Sequence, residues 1–148
     1  MKLLYISISG NTKSFVERIA AFSQEQHKLD TTLPVFDIQE ISENSPFEVE
    51  ENPFVTFVPT YLEGGNGVDN GDTEILTEVM REYLEYSENY KRCLGVIGSG
   101  NKNFNYQYCL TAKQYSEAFG FPLLADFELR GTDVDLKRIY AVLSGLSA

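Results

Sequence analysis

Three segments of the chain carry residue types that could hold a small ligand. The first is Ser7-Ile8-Ser9-Gly10-Asn11-Thr12. Ser7, Ser9 and Thr12 offer hydroxyl donors, and Gly10 lets the backbone turn tightly. A helix starting near Thr12 aims its free N–H groups and positive dipole end into the same space. That is the chemistry of an anion site built without Lys or Arg. The segment lacks the Gly-Lys-Ser/Thr ending of a nucleoside triphosphate loop, and the Gly-x-Gly-x-x-Gly of dinucleotide folds is also missing. The alternative is that these residues only cap a helix.

The second segment begins Pro59-Thr60-Tyr61 and runs through glycine-rich sequence to Gly71. An exposed aromatic at a strand end, as Tyr61 would be, can stack on a flat ring; the alternative is a rim residue of the core. Were the ring a flavin, a backbone carbonyl at Gly64-Gly65 could swing toward its N5 position and accept a hydrogen bond there, a rotation that glycine makes cheaply. A plain flexible Gly-Asn-Asp loop reads the same way. The third segment is Gly98-Ser99-Gly100-Asn101-Lys102-Asn103-Phe104-Asn105. Its small residues let N–H groups approach a ring edge or a phosphate.

These segments need strands before them and helices after them, and the apolar pattern supplies both. Leu3–Ile6, Phe54–Val58 and Cys93–Ile97 are short apolar runs suited to strands buried on both faces. Leu33–Phe36 is a weaker strand whose proline suggests an edge. Residues 37–53, acidic and rich in Asn, Ser and Pro, read as surface loop. Leu123–Leu129 is a fifth strand. Helical stripes follow at Phe15/Ile19/Phe22, at Ile75/Leu76, Val79/Met80 and Tyr83/Leu84, at Phe104/Tyr108/Ala112/Tyr115/Phe119, and at Leu136/Ile139/Leu143/Leu146. Asp72 is placed to cap the second helix, and Thr132 with Asp135 has capping-box spacing before the last. The order β-α-β-β-α-β-α-β-α, with the crossover between strands two and three short or missing, predicts an α/β fold: a parallel sheet covered on both faces. In such sheets ligands bind beyond the carboxyl ends of the strands, where all three segments lie.

With 148 residues and no internal repeat or linker, residues 1–148 are expected to form one domain. The net charge is −10, and no Lys or Arg occurs between Lys28 and Arg81 while twelve Asp and Glu do. Such a field repels nucleic acid and anionic membrane; it suits a basic protein partner, or serves solubility alone. No apolar stretch reaches the length of a membrane span, and the N-terminal apolar run is too short for an export signal. Cys93 and Cys109 match no metal motif and read as thiols in a reducing, cytoplasmic compartment. With His27 the only histidine and set in a polar run, neither a metal site nor a catalytic histidine is expected.

Taken together, the stretches Tyr5-Ile6-Ser7-Ile8-Ser9-Gly10-Asn11-Thr12, Val58-Pro59-Thr60-Tyr61, Gly95-Val96-Ile97-Gly98-Ser99-Gly100-Asn101-x-Asn103-Phe104 and Asp126-Phe127-Glu128-Leu129-x-Gly131-Thr132 resemble the NrdI family, flavodoxin-like proteins of class Ib ribonucleotide reductase systems. The resemblance covers nearly the whole chain, and the segment from Leu62 to Gly71 is similar to the streptococcal branch. It implies a flavodoxin-like, doubly wound, five-stranded parallel sheet of order 2-1-3-4-5 and one bound flavin mononucleotide (FMN). Ser7, Ser9, Gly10, Asn11 and Thr12 would hold the phosphate. Thr60, Tyr61, Gly64 and Gly65 would line one side of the ring, and Ser99, Gly100, Asn101, Asn103 and Phe104 the other. Asn105 stands where many members have glycine.

The resemblance also implies a role. The reduced flavin reacts with O₂, and the oxidant formed passes to the dimanganese site of the reductase's small, radical-bearing subunit. A separate donor reduces the flavin. No catalytic acid or base is expected of the chain, which would act as a redox accessory rather than a self-contained enzyme. An ordinary electron-transfer flavodoxin, or a diverged copy acting as a non-redox binding module, would share the same loops.

Overall fold

The structure is a computed structural model describing residues 1–62 and 74–147. Five parallel strands form one sheet: β1 (Lys2–Tyr5), β2 (Asp37–Glu40), β3 (Phe54–Pro59), β4 (Cys93–Gly100) and β5 (Leu123–Glu128), in the order β2-β1-β3-β4-β5. The helices are α1 (Asn11–Leu29), α2 (Glu78–Glu85), α3 (Leu110–Phe119) and α4 (Asp133–Ser147).

Side chains alternate across a strand, and here the alternation builds two cores. Leu3, Tyr5, Val55, Phe57 and Phe127 face α1 and α4, meeting Phe15, Ile19, Ile139 and Leu143. Leu4, Ile6, Phe54, Val58 and Val96 face α2 and α3, meeting Met80, Tyr83, Leu84 and Tyr115. Every residue of β3 is buried, in keeping with its β-branched and aromatic sequence. The last helix opens on a reciprocal cap: the Thr132 amide donates to Asp135 Oδ2 at 2.8 Å and the Asp135 amide to Thr132 Oγ1 at 3.2 Å. As expected, no helix crosses from β2 to β3. That connection is held instead by Ile41, fully buried, and by Glu50, whose carboxylate receives Lys2 Nζ at 3.0 Å and the Tyr83 hydroxyl at 2.5 Å.

Three expectations fail in instructive ways. The second strand is Asp37–Glu40, not Leu33–Phe36. Pro34 has no N–H for a ladder, and the apolar pull of Phe36 is spent in the core, where its amide donates to Ser23 Oγ at 3.1 Å. Part of the span read as loop therefore pairs with Lys2–Tyr5. The second helix begins at Glu78. Ile75 instead donates its N–H to the Tyr61 carbonyl at 2.9 Å, and Leu76 takes a left-handed φ of 69° with its side chain exposed. Asp72 lies outside the described residues. The third stripe is broken by Cys109 at φ 54°, so that a 3₁₀ segment, Lys102–Gln107, precedes α3 and leaves Phe104 exposed.

The register brings the loops together. Tyr5 pairs with Phe57, Pro59 with Ser99, and Gly100 with Glu128. The carboxyl ends of β1, β3, β4 and β5 thus lie side by side, and the chain leaves each of them into the same space.

Candidate functional site

At the end of β1 the chain turns through Gly10, which caps α1 with φ 92°. A Cβ added there would meet nothing within 4 Å, so the glycine answers the backbone angle and not crowding. The Ser14 amide donates to the Gly10 carbonyl at 3.0 Å and the Lys13 amide to Ser7 Oγ at 3.2 Å. The amides of Asn11 and Thr12, first in the helix, have no intrahelical partner. Ser7 therefore serves the helix end itself. Thr12 is buried, its hydroxyl 3.0 Å from the Ser99 hydroxyl. Ser9 and Asn11 face outward into a pocket.

The second loop leaves β3 at Thr60, whose N–H donates to the Ser99 carbonyl at 3.2 Å and whose Oγ1 accepts the Thr111 amide at 3.1 Å. Leu62 forms an antiparallel bridge with Glu74, where the chain returns. That return is anchored from below. The Glu74 carboxylate receives the Arg81 guanidinium at 2.8 Å and the Thr77 and Tyr115 hydroxyls at 2.5 Å each. The Arg81 guanidinium also lies 5.0 Å over the Tyr115 ring. Burial foremost, and then Glu74, raises the Tyr115 pKa, keeping the phenol protonated as a donor.

The third loop starts from β4. Gly98 makes room for α3: an added Cβ would sit 2.9 Å from the Ala112 Cβ and 3.0 Å from that of Cys109. Its smallness serves packing, not approach to a ligand. Beyond it, Asn101 Oδ1 accepts the Asn103 amide at 2.9 Å, and the Phe104 amide reaches the Asn101 carbonyl at 3.0 Å. The Lys102 amide donates to Glu128 Oε2 at 3.0 Å, and the Leu129 amide to the Gly100 carbonyl at 2.9 Å, tying this loop to the turn after β5. Burial foremost pushes the Cys109 thiol up to about 12, leaving it protonated and unreactive at neutral pH.

The loops enclose a pocket of about 290 Å³, open on one side. It brings together eight of the residues singled out from the sequence: Ser9, Asn11, Thr60, Tyr61, Ser99, Gly100, Asn101 and Phe104. Ser7, Gly10, Thr12 and Asn103 lie outside its lining, the first three supporting it from behind, and Gly64 and Gly65 fall outside the described residues. Sequence reasoning missed Pro59, Leu62, Ile75, Gln107 and Leu129. Leu129 carried a readable signal, an apolar residue at the carboxyl end of a strand. Ile75 carried a misleading one, because its helical spacing with Val79 hid it.

The described lining contains no charged side chain. Apolar groups (Tyr61, Leu62, Ile75, Phe104, Leu129) make the walls, and neutral hydroxyls and amides surround them. A flat, partly apolar ring fits the walls. A phosphate monoester fits the corner where Ser9, Asn11 and the first amides of α1 converge. Among the described residues no helix is long and apolar enough to cross a membrane, and no group of three or more His, Cys, Asp or Glu is placed to hold a metal ion.

Comparison with known proteins bears on the family and the fold. The NrdI flavodoxin-like family profile matches residues 3–141. A NrdI-like protein of Streptococcus pneumoniae (strain ATCC BAA-255 / R6) is 51% identical over 146 residues, covering 99% of this chain and 94% of that protein. One from Streptococcus pyogenes serotype M18 is 52% identical over 143 residues, covering 97% and 91%. Protein NrdI of Bartonella tribocorum is 38% identical over 133 residues, covering 89% and 84%. Among solved structures, a short-chain flavodoxin associated with a bacterial microcompartment superposes with TM-score 0.63 at 18% identity, covering 99% of this chain and 95% of the other. Oxidised flavodoxin 2 from Bacillus cereus superposes with TM-score 0.61 at 15% identity, covering 98% of each chain. At those identities the likeness is one of fold.

Proposed function

Since the chain belongs to the NrdI flavodoxin-like family, we propose that its pocket holds FMN and that the loaded protein supplies an O₂-derived oxidant, or electrons, for assembling the dimanganese-tyrosyl radical cofactor of a class Ib ribonucleotide reductase. The fold and family imply a flavin, and the family is associated with ribonucleotide reductase. The flavin, when bound, would supply electron transfer and reaction with O₂.

The chain's own residues supply binding and electrostatics. Ser9 and Asn11, with the Asn11 and Thr12 amides, would grip the phosphate. Tyr61 and Phe104, from different loops, would line the ring. Thr12, Ser7, Gly10 and Asn103 act by shaping the loops. Without a cation in the described lining, negative charge added to a bound ring goes uncompensated by any side chain. The acidic surface supports docking onto a reductase subunit of complementary charge. Two unpaired, buried cysteines suit a cytoplasmic setting.

The observation that carries the reading is the pairing, in one pocket, of an uncharged helix-end anion corner with apolar walls at the carboxyl ends of β1, β3 and β4. The test is a titration of the purified chain with FMN, followed by activation of the organism's own manganese-loaded radical subunit. FMN binding with O₂-dependent radical formation supports the whole reading. Binding without effect on that subunit points to an ordinary electron-transfer flavodoxin. A colourless chain that rejects FMN points to a non-redox binding module.

A further inference from the structure

Leu129 stands out on two counts. It lines the pocket, and its backbone has φ 55°, the left-handed region that branched side chains avoid. The conformation is imposed from several directions. The Leu129 amide donates to the Gly100 carbonyl at 2.9 Å, and the Gly131 amide closes a turn onto the Glu128 carbonyl at 2.9 Å. Arg18 reaches across from α1: its Nη1 donates to the Gly131 carbonyl at 3.3 Å, and its Nη2 bonds the Arg130 carbonyl. Strain over-determined by its surroundings in this way gathers at functional positions. No core packing explains the choice of leucine, because the side chain is 48% exposed. What the conformation achieves is placement of an apolar side chain at the pocket mouth, across from loops that carry Tyr61 and Phe104.

Resting on the assignment of this pocket to FMN, we propose that Leu129 is a positioning residue for the flavin ring, an apolar edge that orders the ring and keeps water from one side of it. Glycine and asparagine tolerate left-handed φ, so either would fit the turn better than leucine while removing that edge. The design therefore separates stability from binding.

The experiment compares Leu129→Gly and Leu129→Asn with the unaltered chain. The readouts are the thermal midpoint of the FMN-free protein, FMN affinity by titration, and the vibronic shoulders of the bound ring's visible band, which fade when water reaches it. Ser87→Gly relieves a left-handed residue (φ 49°) far from the pocket and serves as a control. The expected result is an undiminished or raised midpoint in all three variants. Affinity should weaken about tenfold in the two Leu129 variants alone, the scale for stripping a partly buried leucyl contact, with loss of the shoulders. Unchanged affinity and spectrum overturn the proposal, as does a weakened affinity that appears only with a lowered midpoint, the mark of a merely structural leucine. An unaltered chain that does not bind FMN overturns the pocket assignment itself, and this inference with it.

Discussion

Thr12 and Ser99, 87 positions apart in sequence, share a buried hydrogen bond of 3.0 Å between their hydroxyls. The bond ties the start of α1 to the end of β4, and so two of the loops that line the pocket. Removing either hydroxyl alone strands the other away from water. Thr12→Val and Ser99→Ala should each cost about 1–3 kcal/mol, while the double variant should cost less than the sum. Urea denaturation of the FMN-free proteins measures this, and strict additivity would show that the bond does not couple the loops.

Ser9 and Asn11 should matter to the phosphate alone. Ser9→Ala and Asn11→Ala are expected to weaken FMN binding by about tenfold each, the scale of a hydrogen bond to a charged group. Riboflavin, with the same ring and no phosphate, should bind the variants and the unaltered chain alike. Parallel fluorescence titrations test the point, and equal losses for both ligands would place the phosphate elsewhere.

Two glycines with positive φ should respond differently to alanine. At Gly10 a Cβ has open space, so Gly10→Ala should cost only the backbone strain, about 1–2 kcal/mol. At Gly131, with φ 72°, a Cβ would stand 2.6 Å from the Phe15 ring, which stacks on Phe127 at 4.0 Å. Strain and overpacking together should cost Gly131→Ala about 2–4 kcal/mol. Chemical denaturation ranks the two, and equal costs would contradict the crowding at Phe15.

Burial pushes the thiols of Cys93 and Cys109 up from 9.0 to about 12. Both groups favour the protonated, folded form, so their contribution is fully present below the unfolded value and is lost as pH rises toward the folded one. Stability should therefore hold to about pH 8 and decline from about pH 9, where unfolded thiols ionise first. Replacing both cysteines by alanine should lower stability at neutral pH but flatten that decline. Denaturation midpoints between about pH 8 and 9.5, below the range where tyrosines ionise, decide it. An equally steep decline without the cysteines would assign it to other groups.

The legible parts of the fold were those whose residues had only one use. Phe54–Val58 is β-branched and aromatic throughout and Cys93–Ile97 is apolar because both faces of their strands are covered. Thr132 and Asp135 announced their cap because both side chains work locally. Phe36 misled because a core residue can sit just before a strand, and the pairing of Asp37–Glu40 depends on Lys2–Tyr5, which no local pattern displays. Ile75 and Leu76 misled because Tyr61 claims that segment for a bridge. At the site, the loops were legible from their glycines and hydroxyls, whereas the division between residues that face the pocket and residues that brace it was not. Ser9 and Thr12 look equivalent in sequence; only the distant Ser99 turns Thr12 inward. Leu129 was readable as an apolar residue at a strand end, but its left-handed backbone was not, since Gly100 and Arg18 hold that turn from afar.

The pairing of Tyr5 with Phe57 and of Pro59 with Ser99 gives the two ends of the sheet unequal freedom. One residue gained or lost inside β3 would shift Thr60 and Tyr61 by about 3.3 Å and turn them to the opposite face, dismantling the pocket without altering any residue in it. The connections at the amino ends, around Thr32 and Gly120, bear no such obligation, and their lengths can drift among relatives at little cost. Length changes should therefore be tolerated in the connections at the blunt end of the molecule and not inside the strands that aim the rim.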